Sequence, residues 1–130
     1  MVPPVHMIEH ALSAHHDITH GAGLAVVNPA WMRFAAKARL DRFAQFARRI
    51  FGLSADKDDF GLAVDGIDRF EGFLRAIGCP TRLSELGIGD ALFSRYAEDA
   101  VLVLHDEKGH LFGRPPMSKA DIVEVLRSAL

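Results

Sequence analysis

His6-Met7-Ile8-Glu9-His10-Ala11-Leu12-Ser13-Ala14-His15-His16-Asp17-Ile18-Thr19-His20-Gly21 holds five of the seven histidines of this chain within fifteen residues. Imidazole is the commonest metal ligand and the usual proton handler near neutral pH, so this density marks a candidate site. His6 and His10 are four apart, which on a helix puts them on one face with Cβ atoms about 5–6 Å apart. Both can then meet one metal or one substrate. His20 follows His6 by fourteen residues, a rise of roughly 21 Å on an unbroken helix. Two ligands of one ion cannot stand that far apart. If they cooperate, the helix must stop between them and the chain must turn back. Asp17, Ile18 and Thr19 are poor helix formers, Asp17 and Thr19 are good N-caps, and Gly21 and Gly23 follow. The pattern predicts a helix, a tight corner and a new helix, with His20 at or near its start. The plainer reading is a surface helix that happens to be rich in histidine.

The run HMIEHALSAHHDITHGAGLAVVNPAWM, residues 6–32, resembles the iron-containing (group III) alcohol dehydrogenases, close to their butanol dehydrogenase-like branch. In that family an HxxxH element is followed, fourteen residues after its first histidine, by a His-Gly at the corner into the next helix. The matching positions here are His6, His10 and His20-Gly21. CPTRLSELGIGD (79–90) and LFGRPPMSKADIVEVLRSAL (111–130) extend the resemblance over essentially the whole chain. It implies that His6 and His20 are ligands of a divalent metal (Fe2+ or Zn2+) and that His10 is the active-site histidine beside nicotinamide and substrate. It also implies an all-α helical bundle, the C-terminal domain of that fold, occupying 1–130 as one unit. For the intact enzyme the resemblance further implies NAD(P) as cofactor and a small alcohol or aldehyde as substrate. The family's metal has two further ligands, an Asp and a His, that lie well upstream. Only Met1-Val2-Pro3-Pro4-Val5 precede His6 here, and the Gly-rich dinucleotide-binding half is absent. The chain is therefore expected to be a catalytically silent portion of a dehydrogenase, cut through its metal site. The alternatives are a truncated gene, a mis-called start and a split subunit whose partner supplies the N-terminal half.

Composition agrees with one domain of that kind. The chain has 130 residues, 49% of them hydrophobic, enough for a real core. A net charge of −2 without a long charge run argues against nucleic acid as a partner. The single Cys79 excludes an intramolecular disulfide and fits a reducing compartment. No signal peptide is apparent, and no apolar run approaches the ~20 residues of a membrane span. Cytoplasm is the expected compartment.

Beyond the corner the chain reads as helix. Residues 23–27 and 30–51 keep a helical rhythm, with Trp31, Phe34, Ala35, Ala38, Phe43, Phe46, Ala47 and Ile50 on the apolar side. Pro29 predicts a kink or a join between two helices. Arg33, Lys37, Arg39, Arg42, Arg48 and Arg49 read as a solvated face, and Gly52 as a C-cap. A polar loop at 53–58 precedes a helix from about Asp58 to Ile77 that buries Phe60, Ala63, Ile67, Phe70, Phe73, Leu74 and Ile77 and stops at Gly78 and Pro80. Cys79 lacks a paired base and reads as structural. A capped turn at 81–88 leads to a helix capped by Asp90. His105 and His110 read as surface residues around a polar turn. Residues 111–116 form an extended linker whose two prolines exclude helix. Ser118 and Asp121 then open a last helix with a box-like cap, its apolar face being Ile122, Val125, Leu126 and Leu130.

Two rival functions come from other classes. His15-His16-Asp17 fits an HD-type metal phosphohydrolase, although the surrounding pattern does not match. Alternatively the chain is a stand-alone helical module without catalysis, whose severed face near residues 1–30 would be unusually apolar and would favour association.

Overall fold

The computed structural model describes residues 4–54 and 56–130. Within them lie six α-helices: α1 (Pro4–His15), α2 (His20–Ala36), α3 (Leu40–Phe51), α4 (Asp59–Ala76), α5 (Phe93–Leu102) and α6 (Lys119–Ser128). Short 3₁₀ turns at Leu83–Leu86 and Asp90–Leu92 connect α4 to α5. Among the described residues there is no sheet, only isolated antiparallel bridges from Leu111 to His105 and Met117. No helix among the described residues is long and apolar enough to cross a membrane.

The predicted corner is present. α1 begins on Pro4, where a missing N–H costs nothing, and ends at His15; α2 starts on His20. Thr19 holds the extended N-cap conformation (φ −72°, ψ 142°), but its hydroxyl makes no capping bond. The glycines do not break the chain. Gly21 and Gly23 both lie inside the opening turns of α2, so the interruption rests on Asp17-Ile18-Thr19 alone.

α2 is the spine. Val26, Val27 and Ala30 join α1, α5 and α6 in the larger core, around Ile8, Leu12, Tyr96, Ala97, Ile122 and Leu126. Met32 and Ala36, one to two turns later, belong to a second cluster with Ala63 and Ile67 of α4. Pro29 is buried within α2 and joins nothing: the helix continues through it. The join lies at 37–39, where no glycine or proline announces it. There the N–H groups of Lys37, Ala38 and Arg39 donate to Phe34, Ala35 and Ala36 at 3.3, 3.1 and 3.2 Å, a tightened last turn. The turn lets Leu40, Phe43 and Phe46 of α3 fold back onto the second cluster. Tertiary packing thus overrides a continuous helical pattern. Ala38 and Ile50, expected on the apolar side, are exposed.

α3 and α4 form an antiparallel pair that crosses closely at small residues. Ala44 and Ala47 pack against Leu62, and a Cβ built on Gly66 would sit 2.6 Å from Ala47 Cβ and 3.0 Å from its Cα. The helix boundaries and the stop at Gly78 (φ 85°) agree with the sequence reading. The buried face of α4 agrees only in part: Ala63 and Ile67 are buried as expected, and Phe70 packs on the second cluster. That face consists of Leu62, Ala63, Gly66, Ile67 and Glu71, whereas Phe60, Phe73 and Ile77 are 60%, 53% and 59% exposed. Phe60 and Phe73 share the helical spacing of a core stripe, but the close crossing takes the small residues instead.

Arg33 is not merely solvated. Its guanidinium reaches Asp68 at 2.8 Å and the buried Glu71 at 2.5 Å. Burial works against the Arg33 cation, but its hydrogen bonds to Asp68 and Glu71 outweigh that and raise its pKa. Arg75 and Arg82 approach the other Glu71 oxygen at 3.3 and 3.6 Å, so α2, α4 and the following turn share one buried carboxylate.

Toward the C-terminus, Gly52 caps α3 in the left-handed region (φ 62°), as expected. Asp90 lies inside a 3₁₀ turn and caps no helix; Gly89 precedes it without a side-chain bond. The 111–116 stretch carries no helix, yet Leu111 and Met117 exchange backbone bonds of 2.8 and 3.0 Å and both are fully buried. The capping box of α6 is complete: Asp121 N–H donates to Ser118 Oγ at 3.2 Å and Ser118 N–H to Asp121 Oδ2 at 2.8 Å. The larger exposed hydrophobics among the described residues lie on α3, α4 and beyond, not within 4–30.

The α3–α4 crossing yields a prediction. Gly66→Val places branched carbons where Ala47 already stands, and overpacking of this kind costs about 1–3 kcal/mol. Urea unfolding should show a lower midpoint than the wild type, and an unchanged midpoint would disprove the close crossing.

Candidate metal centre

The corner between α1 and α2 brings together the three histidines that the sequence singled out. The ring centres of His6 and His20 are 5.4 Å apart, as are those of His10 and His20, and those of His6 and His10 are 6.4 Å apart. One turn of α1 sets the first pair; the reversal at 17–19 delivers the third ring from α2. Roughly 5 Å between ring centres suits two imidazoles on one tetrahedral ion, given metal–nitrogen bonds near 2 Å. His6 Nδ1 is buried and has no hydrogen-bond partner, an orphaned polar atom that calls for one.

Behind the rings lies Glu9, fully buried. Ser13, four residues on, donates its hydroxyl to Oε1. His20 bonds Oε2 through Nδ1. Residue type and spacing alone leave Glu9 open between a role behind the histidines and simple exposure. Asp17, the other carboxylate of the run, is exposed. Glu9, His10 and His20 offer ligand-competent atoms within 4.8 Å of one another, but both Glu9 oxygens already have partners. Space for this carboxylate is cut from α2: a Cβ on Gly23 would stand 2.6 Å from Glu9 Cγ and 2.9 Å from Oε1. Gly23 is therefore a close-approach glycine. No local sequence signal distinguishes that from a helix breaker.

His15 and His16 are engaged with α5 instead. His15 Nε2 donates to Asp99 at 2.8 Å, and His16 Nε2 shares a 2.6 Å hydrogen bond with the buried Tyr96 hydroxyl. The His15 bond, aided by Arg95, holds the Asp99 carboxyl below the usual carboxylate range, and burial raises the Tyr96 phenol. His105 bonds its own helix end at the Val101 carbonyl, 2.8 Å away, and His110 lies 3.8 Å from Asp106. Both remain in the surface turn where the sequence placed them.

Residues 2–130 match the Fe-containing alcohol dehydrogenase family, C-terminal. The chain belongs to that family. It is 30% identical over 125 residues to NADH-dependent butanol dehydrogenase A of Clostridium acetobutylicum, covering 95% of this chain and 31% of that protein. To the probable NADH-dependent butanol dehydrogenase 1 of Bacillus subtilis it is 35% identical over 127 residues, 96% of this chain and 31% of the relative. The crystal structure of NADH-dependent butanol dehydrogenase A from Thermotoga maritima superposes with a TM-score of 0.85 at 35% identity, over 97% of this chain and 32% of that one. The all-α bundle is thus the C-terminal domain of the iron-containing alcohol dehydrogenase fold. The chain spans about a third of the length of the curated relatives it matches.

The donor set fits the metal that the family name implies. His20, half exposed at 49%, has Nε2 free once Nδ1 is engaged, and His6 contributes an unpartnered ring nitrogen. For the dinucleotide the chain offers no Gly-rich motif, and no cofactor-binding residue is assigned in it.

If Gly23 is the cut-out that admits Glu9, Gly23→Ala should destabilise the chain by about 1–3 kcal/mol in denaturant unfolding. Gly21→Ala, with nothing within 4 Å of the added carbon, should be neutral or slightly stabilising. Equal effects would refute the distinction.

Proposed function

We propose that this chain is the metal-binding, substrate-facing part of an NAD(P)-linked dehydrogenase that interconverts primary alcohols and aldehydes, and that it is inactive alone. One observation carries the reading: two helices that could have run straight on instead turn back and gather His6, His10 and His20 at one corner. Family membership and the names of the butanol dehydrogenase relatives support the chemistry assigned to it.

In this reading His6 and His20 hold a divalent ion, Fe2+ or Zn2+, each through one ring nitrogen. The ion supplies Lewis-acid polarisation of an alcohol or carbonyl oxygen, and the nicotinamide supplies the hydride chemistry. His10 is exposed, on the same face as His6 and one turn on, free to orient substrate or carry a proton at its ring nitrogen. The dinucleotide-binding half and two further ligands come from outside these residues, from the same polypeptide or from a partner. Exposed Phe60, Val64 and Phe73 of α4 and Ile77 just past its end favour further contacts of this domain. The single cysteine fits a reducing compartment and favours a cytoplasmic enzyme.

Two measurements test the proposal. In Zn2+ titration calorimetry the wild type should bind weakly, His6→Ala and His20→Ala should lose at least tenfold in affinity, and His15→Ala should not change. Equal binding by all four would refute the assignment of ligands. The pure chain should also show no NAD(P)-dependent oxidation of butanol, and measurable turnover would refute its inactivity.

A further inference from the structure

We propose that Glu9 is a positioning residue: it fixes the tautomer of His20, keeps its Nδ1 protonated and presents Nε2 to the ion. The inference rests on the metal-centre reading above, but its first test does not need a metal.

A carboxylate accepts hydrogen bonds and has no hydrogen to give. Oε1 is met by the Ser13 hydroxyl. The hydrogen between Oε2 and His20 must then come from Nδ1. A neutral imidazole carries one N–H, so protonation at Nδ1 leaves the lone pair on Nε2. Only a nitrogen with its lone pair free can ligate. A carboxylate behind a histidine also raises the ring's basicity and restrains its rotation, and loss of such a partner typically costs 10–100-fold in metal affinity.

The surroundings of Glu9 are built for this and for little else. The side chain is 0% exposed, and a carboxylate buried so deeply is costly unless its oxygens are bonded. Its two hydrogen bonds go to Ser13 and His20, and among the described residues no Lys or Arg pairs with it. Contrast Glu71, the other buried glutamate, which three arginines surround and which has no histidine. Glu71 is a structural ion-pair hub; Glu9 faces an imidazole. Direct ligation by Glu9 is disfavoured because both oxygens are engaged and Gly23 stands against the carboxylate. Ser13 completes the arrangement by holding Oε1, so that Oε2 is left for the ring.

The decisive experiment is a long-range 1H–15N correlation spectrum of the histidine rings in the full, metal-free chain at about pH 8, where an unperturbed imidazole is neutral. His20 should appear as the Nδ1–H tautomer in the wild type and lose that preference in Glu9→Ala. An Nε2–H tautomer for wild-type His20 would overturn the proposal, and so would the same tautomer in Glu9→Ala as in the wild type. Glu9→Gln keeps the volume but removes the charge, which guards against a variant that fails to fold. With far-UV circular dichroism unchanged, it should bind Zn2+ about tenfold more weakly; binding as tight as the wild type would count against Glu9. If the wild type binds no Zn2+ at all, the metal-centre reading fails, and the tautomer spectrum still decides what Glu9 does.

Discussion

The structure turns on one buried carboxylate. Glu9 lies between α1 and α2 with no water-exposed surface, and a bare carboxylate in that place would cost several kcal/mol. Three features offset the cost: Ser13 from the same helix, His20 from the next, and the missing side chain of Gly23. Because Glu9 rides on the helix that carries His6 and His10, its bond to His20 ties the third imidazole to the first two. The geometry of the candidate centre and the angle of the corner are therefore the same constraint.

From that corner the rest of the fold hangs on α2. Its first half closes the larger core with α1, α5 and α6, and its second half closes a smaller one with α3 and α4. The helix stays continuous across Pro29 because it is gripped on both sides, and it stops at 37–39 because α3 must fold back. Glu71 binds this second unit to the spine through Arg33. A helix that serves two cores has little freedom to shift, which keeps His20, at its first residue, in register with α1.

The dense histidine run divides between two tasks. His6, His10 and His20 converge on the corner, whereas His15 and His16 fasten α1 to α5 through Asp99 and Tyr96. The division follows from helical geometry. Positions 6 and 10 share one side of α1, whereas 15 and 16 fall more than a turn later, at its last residue and just past it. Residue type alone gave all five the same claim to chemistry; only their neighbours separate them. The same holds for the two buried glutamates, one beside an imidazole and the other beside guanidinium groups.

Much was legible without coordinates. Local sequence placed His6 and His10 on one face, offered a break at Asp17-Ile18-Thr19 that lets His20 turn back, and marked the stops at Gly52 and Gly78 and the capping box at Ser118, since each depends on residues within a few positions of one another. What remained hidden depends on contacts between segments. Whether Pro29 or residues 37–39 divided the long helix, whether Gly23 broke a helix or made room for Glu9, and whether Phe60 or Gly66 faced α3 were all settled by what lay opposite. Local sequence determines where a helix can form and which faces it can offer. Only the tertiary structure decides which face is taken, because a buried contact is made by two partners and the energy of burying a side chain or a charge belongs to both.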